Sequence, residues 1–266
     1  MSDPRLLDRC AEVGAAAAVA AGKLLMERFR TTIAISHKTS VINLVTEMDV
    51  AAEKLIASSL LAAFPDHTVL AEESYADAAR GPHTWIIDPL DGTTNYAHGF
   101  PFWAVSIGLE VEGELEWGVV HNPNLGETFT ARRGGGAWLG TQRLRVSGAA
   151  TLDESLLATG FPYDIRTAER NNLAYFREFA LRAQAVRRAG SAALDLACVA
   201  AGRFDGFWEL RLSPWDCAAG FLLVREAGGK ITNFRGRPTS IYEGEVVASN
   251  GLIHDQMLEV IASTTD

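Results

Sequence analysis

The stretch that most constrains this chain is an apolar run, Trp85-Ile86-Ile87, that stops in Asp88-Pro89-Leu90-Asp91-Gly92-Thr93-Thr94. Large apolar residues in succession read as a buried strand. Asp88-Pro89 ends it, because proline lacks the N–H that a central strand needs. Two carboxylates then stand three residues apart on a turn, and Gly92 lets the backbone come close to a ligand. Thr93 and Thr94 read as the start of a short helix, with amide N–H groups facing outward. Carboxylates bind hard cations and helix-start amides bind phosphate, so one loop carries both halves of a metal-assisted phosphate site. A strand, an Asp-Pro turn and an Asp-capped helix would give the same letters. The site reading is favoured because further acids stand before and after the loop.

The 266 residues suffice for one large domain or two joined closely, and 48% are hydrophobic, enough for a sizeable core. A net charge of −9 argues against a nucleic-acid surface. It also raises a difficulty for an anionic substrate, which bound divalent cations resolve by inverting the local sign. Cys10, Cys198 and Cys217 form neither a disulfide framework nor a zinc spacing, so a reducing cytoplasm is the expected compartment. The alanine run 15–21 lies beyond Asp3, Asp8 and Glu12 and reads as an amphipathic helix, not an export signal. No apolar run is long enough to span a membrane.

Along the chain, 4–29 reads as a helix with Leu6, Leu7, Cys10, Val13 and Val19 on or near one face. Residues 31–40 are polar and β-prone. The run 43–49 opens a second helix, where Thr46 and Asp49 fit a capping box and Val50, Leu55, Ile56, Leu60 and Phe64 recur at helical spacing. A short strand, 68–71, leads to Glu72-Glu73-Ser74. Strands at 103–111 and 115–120 flank a Glu112-Gly113 turn. Segments 127–132, 137–138 and 144–146 continue the meander, and loop-like composition over 147–153 marks a sub-domain boundary. Beyond it come a strand at 155–159, a helix over 171–183 with Leu173, Phe176 and Phe179 inward, and a strand at 185–187. Ser191 caps a helix over 192–201. A strand over 204–210 contains Glu209. A helix starts at Asp216 and stops at Gly228-Gly229. Strands at 231–234 and 245–249 and a last helix to about 262 complete the chain.

The run from Trp85 to Tyr96, continued by His98-Gly99-Phe100-Pro101-Phe102-Trp103-Ala104-Val105-Ser106-Ile107-Gly108, resembles the signature of the inositol monophosphatase family. Glu72-Glu73-Ser74 and Trp215-Asp216-Cys217-Ala218-Ala219-Gly220 resemble its flanking motifs, and the likeness covers about residues 39–232. It implies an α+β fold, a layered α-β-α-β-α sandwich, with sub-domains 1–148 and 149–266. It implies a phosphomonoesterase of myo-inositol monophosphate that uses two or three Mg²⁺ ions, with Mn²⁺ a possible substitute. Glu72, Asp88 and the Leu90 carbonyl would hold the first metal, and Asp88, Asp91 and Asp216 the second. Thr93, Asp49 and Glu72 would orient the attacking water, and the amides of Gly92 and Thr93 would receive phosphate. Gly190, Ser191, Ala192 and Glu209 would meet the alcohol, a small phosphorylated polyol. The resemblance further implies a homodimer, inhibition by Li⁺, and a loop around Lys38-Thr39-Ser40 that closes over the metals.

All-oxygen ligation suits Mg²⁺ or Mn²⁺ over zinc, and none of the six scattered histidines reads as a ligand. Several residues keep a second reading. Asp49 fits a helix cap, Asp216 a helix N-cap, and Glu209 a surface acid at a strand end. Arg187 and Arg188 fit either surface ion pairs or a site for a second phosphate. Fructose-1,6-bisphosphatase activity is the nearest alternative, and a protein-binding transcription antitermination role is an alternative of another class.

Overall fold

The computed structural model describes residues 4–38, 43–76 and 78–264. Its frame is two sheets with helices outside and between them. Helix α1 (Pro4–Arg28) leads to the short strands β1 (Ile35–His37) and β2 (Leu44–Thr46), which pair antiparallel, and then to α2 (Glu47–Ala63). Residues 44–46 are therefore a strand and not the first turn of the second helix. The turn from one to the other is the capping box: Thr46 is extended, and Asp49 Oδ2 accepts from Thr46 N at 2.8 Å.

The seven-stranded sheet runs in the order β3 (Thr68–Ala71), β4 (His83–Asp91), β5 (Ala104–Val111), β6 (Glu114–Asn122), β7 (Glu127–Arg132), β8 (Gly136–Leu139) and β9 (Gln142–Arg143). The last strand is 142–143; 144–146 is irregular chain. Strand β4 does not stop at Asp88-Pro89 but continues to Asp91 through a register shift against β5. A bulge is where a strand tolerates proline, and it releases Asp88 and Asp91 from strict alternation. The five-residue α3 (Thr93–Ala97) follows.

The five-stranded sheet contains β10 (Leu156–Thr159), β11 (Ala185–Arg187), β12 (Gly206–Leu210), β13 (Lys230–Thr232) and β14 (Glu245–Ser249), in the order β11-β10-β12-β14-β13. Helices α4 (Leu173–Ala180), α5 (Ala192–Ala200), α6 (Pro214–Glu226) and α7 (His254–Ser263) complete the fold.

Alternation along the strands sorts side chains into three cores. Trp85 and Ile87 point to α1 and α2, while Ile86 points to α5 and α6. Phe207 faces the same middle core, whereas Trp208 and Leu210 join Phe179 and Met257 under α4 and α7. The result is the layered α-β-α-β-α sandwich, in which β5 is buried at all eight positions because helices cover both its faces. Helix α1 buries a stripe of small residues (Gly14, Ala17, Ala18, Ala21, Gly22) beside Leu7, Cys10 and Leu25; Val13 and Val19 are only half-buried. The close approach needs the glycines: a Cβ on Gly14 would stand 2.5 Å from the Trp117 ring. On α4, Tyr175 and Phe179 face inward and Leu173 is exposed. No helix among the described residues is long and apolar enough to cross a membrane.

Candidate active site

Two parallel pairings bring the acids together. Strands β3 and β4 run parallel with Ala71 opposite Ile87, so Glu72 and Asp88 follow at the same end of the sheet. In the other sheet β10 lies parallel to both β11 and β12, so the chain after Thr159, Arg187 and Leu210 emerges on one side. Ligands bind beyond the carboxyl ends of parallel strands. A cavity of about 690 Å³ lies there, lined by Asp91, Gly92, Thr93, Ser191, Glu209 and Asp216 among others. Gly190 and Ala192 also line it. Asp49, Asp88 and Leu90 are buried behind that wall.

Each element start fixes one acid. Gly92 adopts a left-handed φ of 96°, and a Cβ there would stand 3.0 Å from the Phe102 carbonyl. Asp88 is 1% exposed, and its Oδ1 accepts from Leu90 N at 3.0 Å. Asp91 Oδ2 accepts from Ser191 Oγ at 2.5 Å and from Ala193 N at 2.7 Å. Asp91 thus ties the central loop to the start of α5. Asn95 adds a second tie, donating from Nδ2 to the carbonyls of Phe102 and Ala189. Asp216 stands three residues into α6, whose N-cap is Ser213; its Oδ2 accepts from Ser213 N at 2.6 Å. It is therefore the acid of a capping box and not the N-cap itself. Thr93 Oγ1 lies 2.8 Å from Asp49 Oδ1 and 3.1 Å from the Leu90 carbonyl. Asp49 accordingly serves both the cap and Thr93.

The charges are strongly frustrated. Burial pushes Asp88 well above the usual carboxylate range, and the charges of Glu72, Asp91 and Asp216 push it further. Asp216 is raised by burial and then by Glu72 and Asp91. Asp91 is pushed up to about 6 by burial, against the pull of its bonds from Ser191 and Ala193. Lys38 Nζ meets Glu72 at 2.8 Å and Glu73 at 2.6 Å. Its burial would lower its pKa, but the two carboxylates outweigh that and hold the ammonium above its ordinary range. Residues 39–42, within which the expected closing loop falls beyond Lys38, lie outside the described residues.

As placed, no three acids, histidines or cysteines among the described residues stand close enough together to enclose an ion. Each carboxylate is turned to a donor of its own chain: Leu90 N, Ser191 Oγ, Ser213 N or Lys38 Nζ. The donor chemistry nonetheless fits a hard cation. It comprises carboxylates and the Leu90 carbonyl, with uncompensated negative charge and neither thiolate nor imidazole.

Further ionisable groups line the same cavity. Glu209 is 9% exposed, so it is not a surface acid, and burial drives it up to about 8. Both arginines are exposed, and Arg188 stands at the cavity. Sequence reasoning missed Asn95, Tyr163 and Asp195, and it placed Lys38 in a closing loop without giving it the partners Glu72 and Glu73. Tyr163 lines the cavity, and its phenol is raised by burial and then by Glu72, Asp216, Asp91 and Asp88. Asp195 had a signal, being the lone acid in an otherwise apolar helix.

The profile of the inositol monophosphatase family matches residues 6–266. An inositol-1-monophosphatase of Synechocystis sp. is 42% identical over 262 residues, covering 98% of this chain and 91% of that protein. A Nus factor SuhB of Pseudomonas aeruginosa is 44% identical over 251 residues, covering 92% and 93%. The solved structure of an inositol monophosphatase from Anabaena (Nostoc) sp. superposes with a TM-score of 0.88 at 41% identity, covering 97% of each chain. Fold, motif order and full-length similarity agree, and the chain belongs to the inositol monophosphatase family, whose members are generally metal-dependent phosphatases.

Proposed function

We propose that this protein is a magnesium-dependent phosphomonoesterase that releases phosphate from a myo-inositol monophosphate by direct in-line attack of water. The observation that carries this reading is the gathering of mutually repelling acids at a cavity that Glu209 and the start of α5 also line. Glu72, Asp88, Asp91, Asp216 and the Leu90 carbonyl would hold two or three Mg²⁺ ions, or Mn²⁺ in their place. When bound, such cations neutralise the phosphoryl oxygens and acidify water.

The chain's own groups do the rest. Thr93 Oγ1, with its proton directed to Asp49 Oδ1, presents lone pairs that orient a water. Asp49 then stands as proton acceptor at the end of that short chain, with Glu72 beside it. Burial raises its proton affinity, despite the opposing bonds from Thr46 and Thr93. Thr93 is a positioning group and not a nucleophile. The amides of Gly92 and Thr93 receive phosphate oxygens, and Gly190, Ser191, Ala192 and Glu209 receive the alcohol. A homodimer in the cytoplasm, inhibited by Li⁺, is the form in which we propose it acts.

The test is phosphate release with and without Mg²⁺ from inositol 1-phosphate, fructose 1,6-bisphosphate, histidinol phosphate and 2-glycerophosphate. Mg²⁺-dependent preference for inositol 1-phosphate is the expected result. Preference for fructose 1,6-bisphosphate would keep the chemistry and change the substrate. A second reading is favoured by the similarity to a Nus factor: a protein-binding regulatory role independent of turnover. Mg²⁺ binding without release from any ester would make it the leading one.

A further inference from the structure

Helix α5 carries one acid. Its nine residues are all buried between the two sheets, and every other side chain in it is apolar or a thiol. Asp195 is 1% exposed, and its Oδ1 has no hydrogen-bond partner. A carboxyl buried without donors is unfavourable, and an apolar side chain would fill the position without that penalty. Proximity to a helix start favours an acid but does not require one to be buried. No salt bridge relieves it either; Arg188 acts on it only as a nearby charge.

What Asp195 does have is the cavity. It lines the wall together with Glu209 of β12, whose charge raises the proton affinity of Asp195. Gly160 keeps the space beside them open: a Cβ there would stand 2.0 Å from Glu209 Oε1. Neighbouring carboxyls in a dry wall hold one proton more readily than two charges. Such a pair offers a donor and an acceptors' row together, which is what the hydroxyls of a polyol need.

We propose that Asp195 is a specificity-determining residue, which with Glu209 forms a two-carboxyl wall that binds adjacent hydroxyls of the substrate's alcohol. It would select polyol phosphates over esters that lack hydroxyls. This rests on the phosphatase reading above.

The test compares wild type, Asp195→Leu and Asp195→Asn, with Mg²⁺, on inositol 1-phosphate and on p-nitrophenyl phosphate. Loss of a hydrogen bond to a buried acid predicts a KM for inositol 1-phosphate raised about 10- to 100-fold in Asp195→Leu at nearly constant kcat. Asp195→Asn, which keeps polar atoms, recovers part of the loss. Kinetics on p-nitrophenyl phosphate stay within about 3-fold, since that alcohol has no hydroxyl to bind. Asp195→Leu melts no lower than wild type. Equal losses on the two substrates with a lowered melting point would mark a structural role and overturn the proposal, as would no loss on inositol 1-phosphate. Wild type that hydrolyses p-nitrophenyl phosphate but no polyol phosphate overturns it too and leaves the phosphatase reading standing. Wild type that hydrolyses neither removes both.

Discussion

Asp49 and Asp195 are buried acids near the starts of two helices, α2 and α5, and their surroundings treat them oppositely. Asp49 is fully satisfied: Oδ2 accepts from Thr46 N and from Thr46 Oγ1 at 2.6 Å, and Oδ1 accepts from Thr93 at 2.8 Å. Asp195 has an oxygen with no partner at all. A satisfied buried carboxylate holds its neighbours in one arrangement, whereas an unsatisfied one is a standing cost to the fold. The first belongs, on the proposed mechanism, to the groups that orient the attacking water. The second, on the proposal above, would be completed by a hydroxyl of the substrate. In this proposed division, a satisfied acid at the phosphate and an unsatisfied one at the alcohol would let one cavity combine a common reaction with a particular substrate.

The comparison can be broken by substitution. The largest effect is expected at Asp88, which both proposed sets of metal ligands share: Asp88→Asn should lower kcat about 1000-fold or more while far-ultraviolet circular dichroism stays unchanged. Near-normal turnover would remove the metal-site assignment. Thr93→Val keeps the volume but removes the hydroxyl between Asp49 and the water, so kcat should fall about 100-fold, with KM little altered, in steady-state assays. Asp49→Ala strips the α2 capping box and orphans the Thr46 amide. It should cost about 3 kcal/mol in urea denaturation, where Asp195→Leu costs nothing. Equal destabilisation by the two would erase the distinction.

The smallest effect is a pH dependence of the metal-free protein. Glu209, Glu73 and Asp91 are raised by burial to about 8, 7 and 6. An acid raised in the folded state contributes stability below its unfolded pKa and loses it as pH rises through the folded one. His67 and His254, lowered by burial to about 4, act in the opposite sense and contribute fully above about 6.5. Between about pH 7 and 8 the raised acids, Glu209 above all, outweigh the histidines, so the denaturation midpoint should fall over that range. Glu209→Gln should flatten part of the slope.

Most of the sandwich could be read from periodicity, because long buried strands and capped helices announce themselves locally. What could not be read depends on distant partners. Residues 44–46 become a strand because 35–37 lies alongside. Strand β4 runs past Pro89 because a bulge against β5 absorbs the missing donor. Leu173 is exposed because α4 turns Tyr175 and Phe179 inward instead. The acids of the metal-binding expectation, Glu72, Asp88, Asp91 and Asp216, were legible as acids in recognisable motifs. The pairing of Lys38 was not, since its two carboxylate partners are more than thirty positions away. Asn95 donates across to Ala189, a link no local pattern encodes. Asp195 was visible only as an acid among alanines and leucines, a pattern that gains meaning once the cavity beside it is known.

The claim that these acids form a cation-assisted phosphate site is tested most directly by calorimetric titration of Mg²⁺ into the whole protein, with inorganic phosphate present, for wild type and Asp88→Asn. Saturable binding of more than one Mg²⁺ per chain in wild type, lost or sharply weakened in Asp88→Asn, is the predicted result. No saturable binding, or binding indifferent to Asp88, would contradict it.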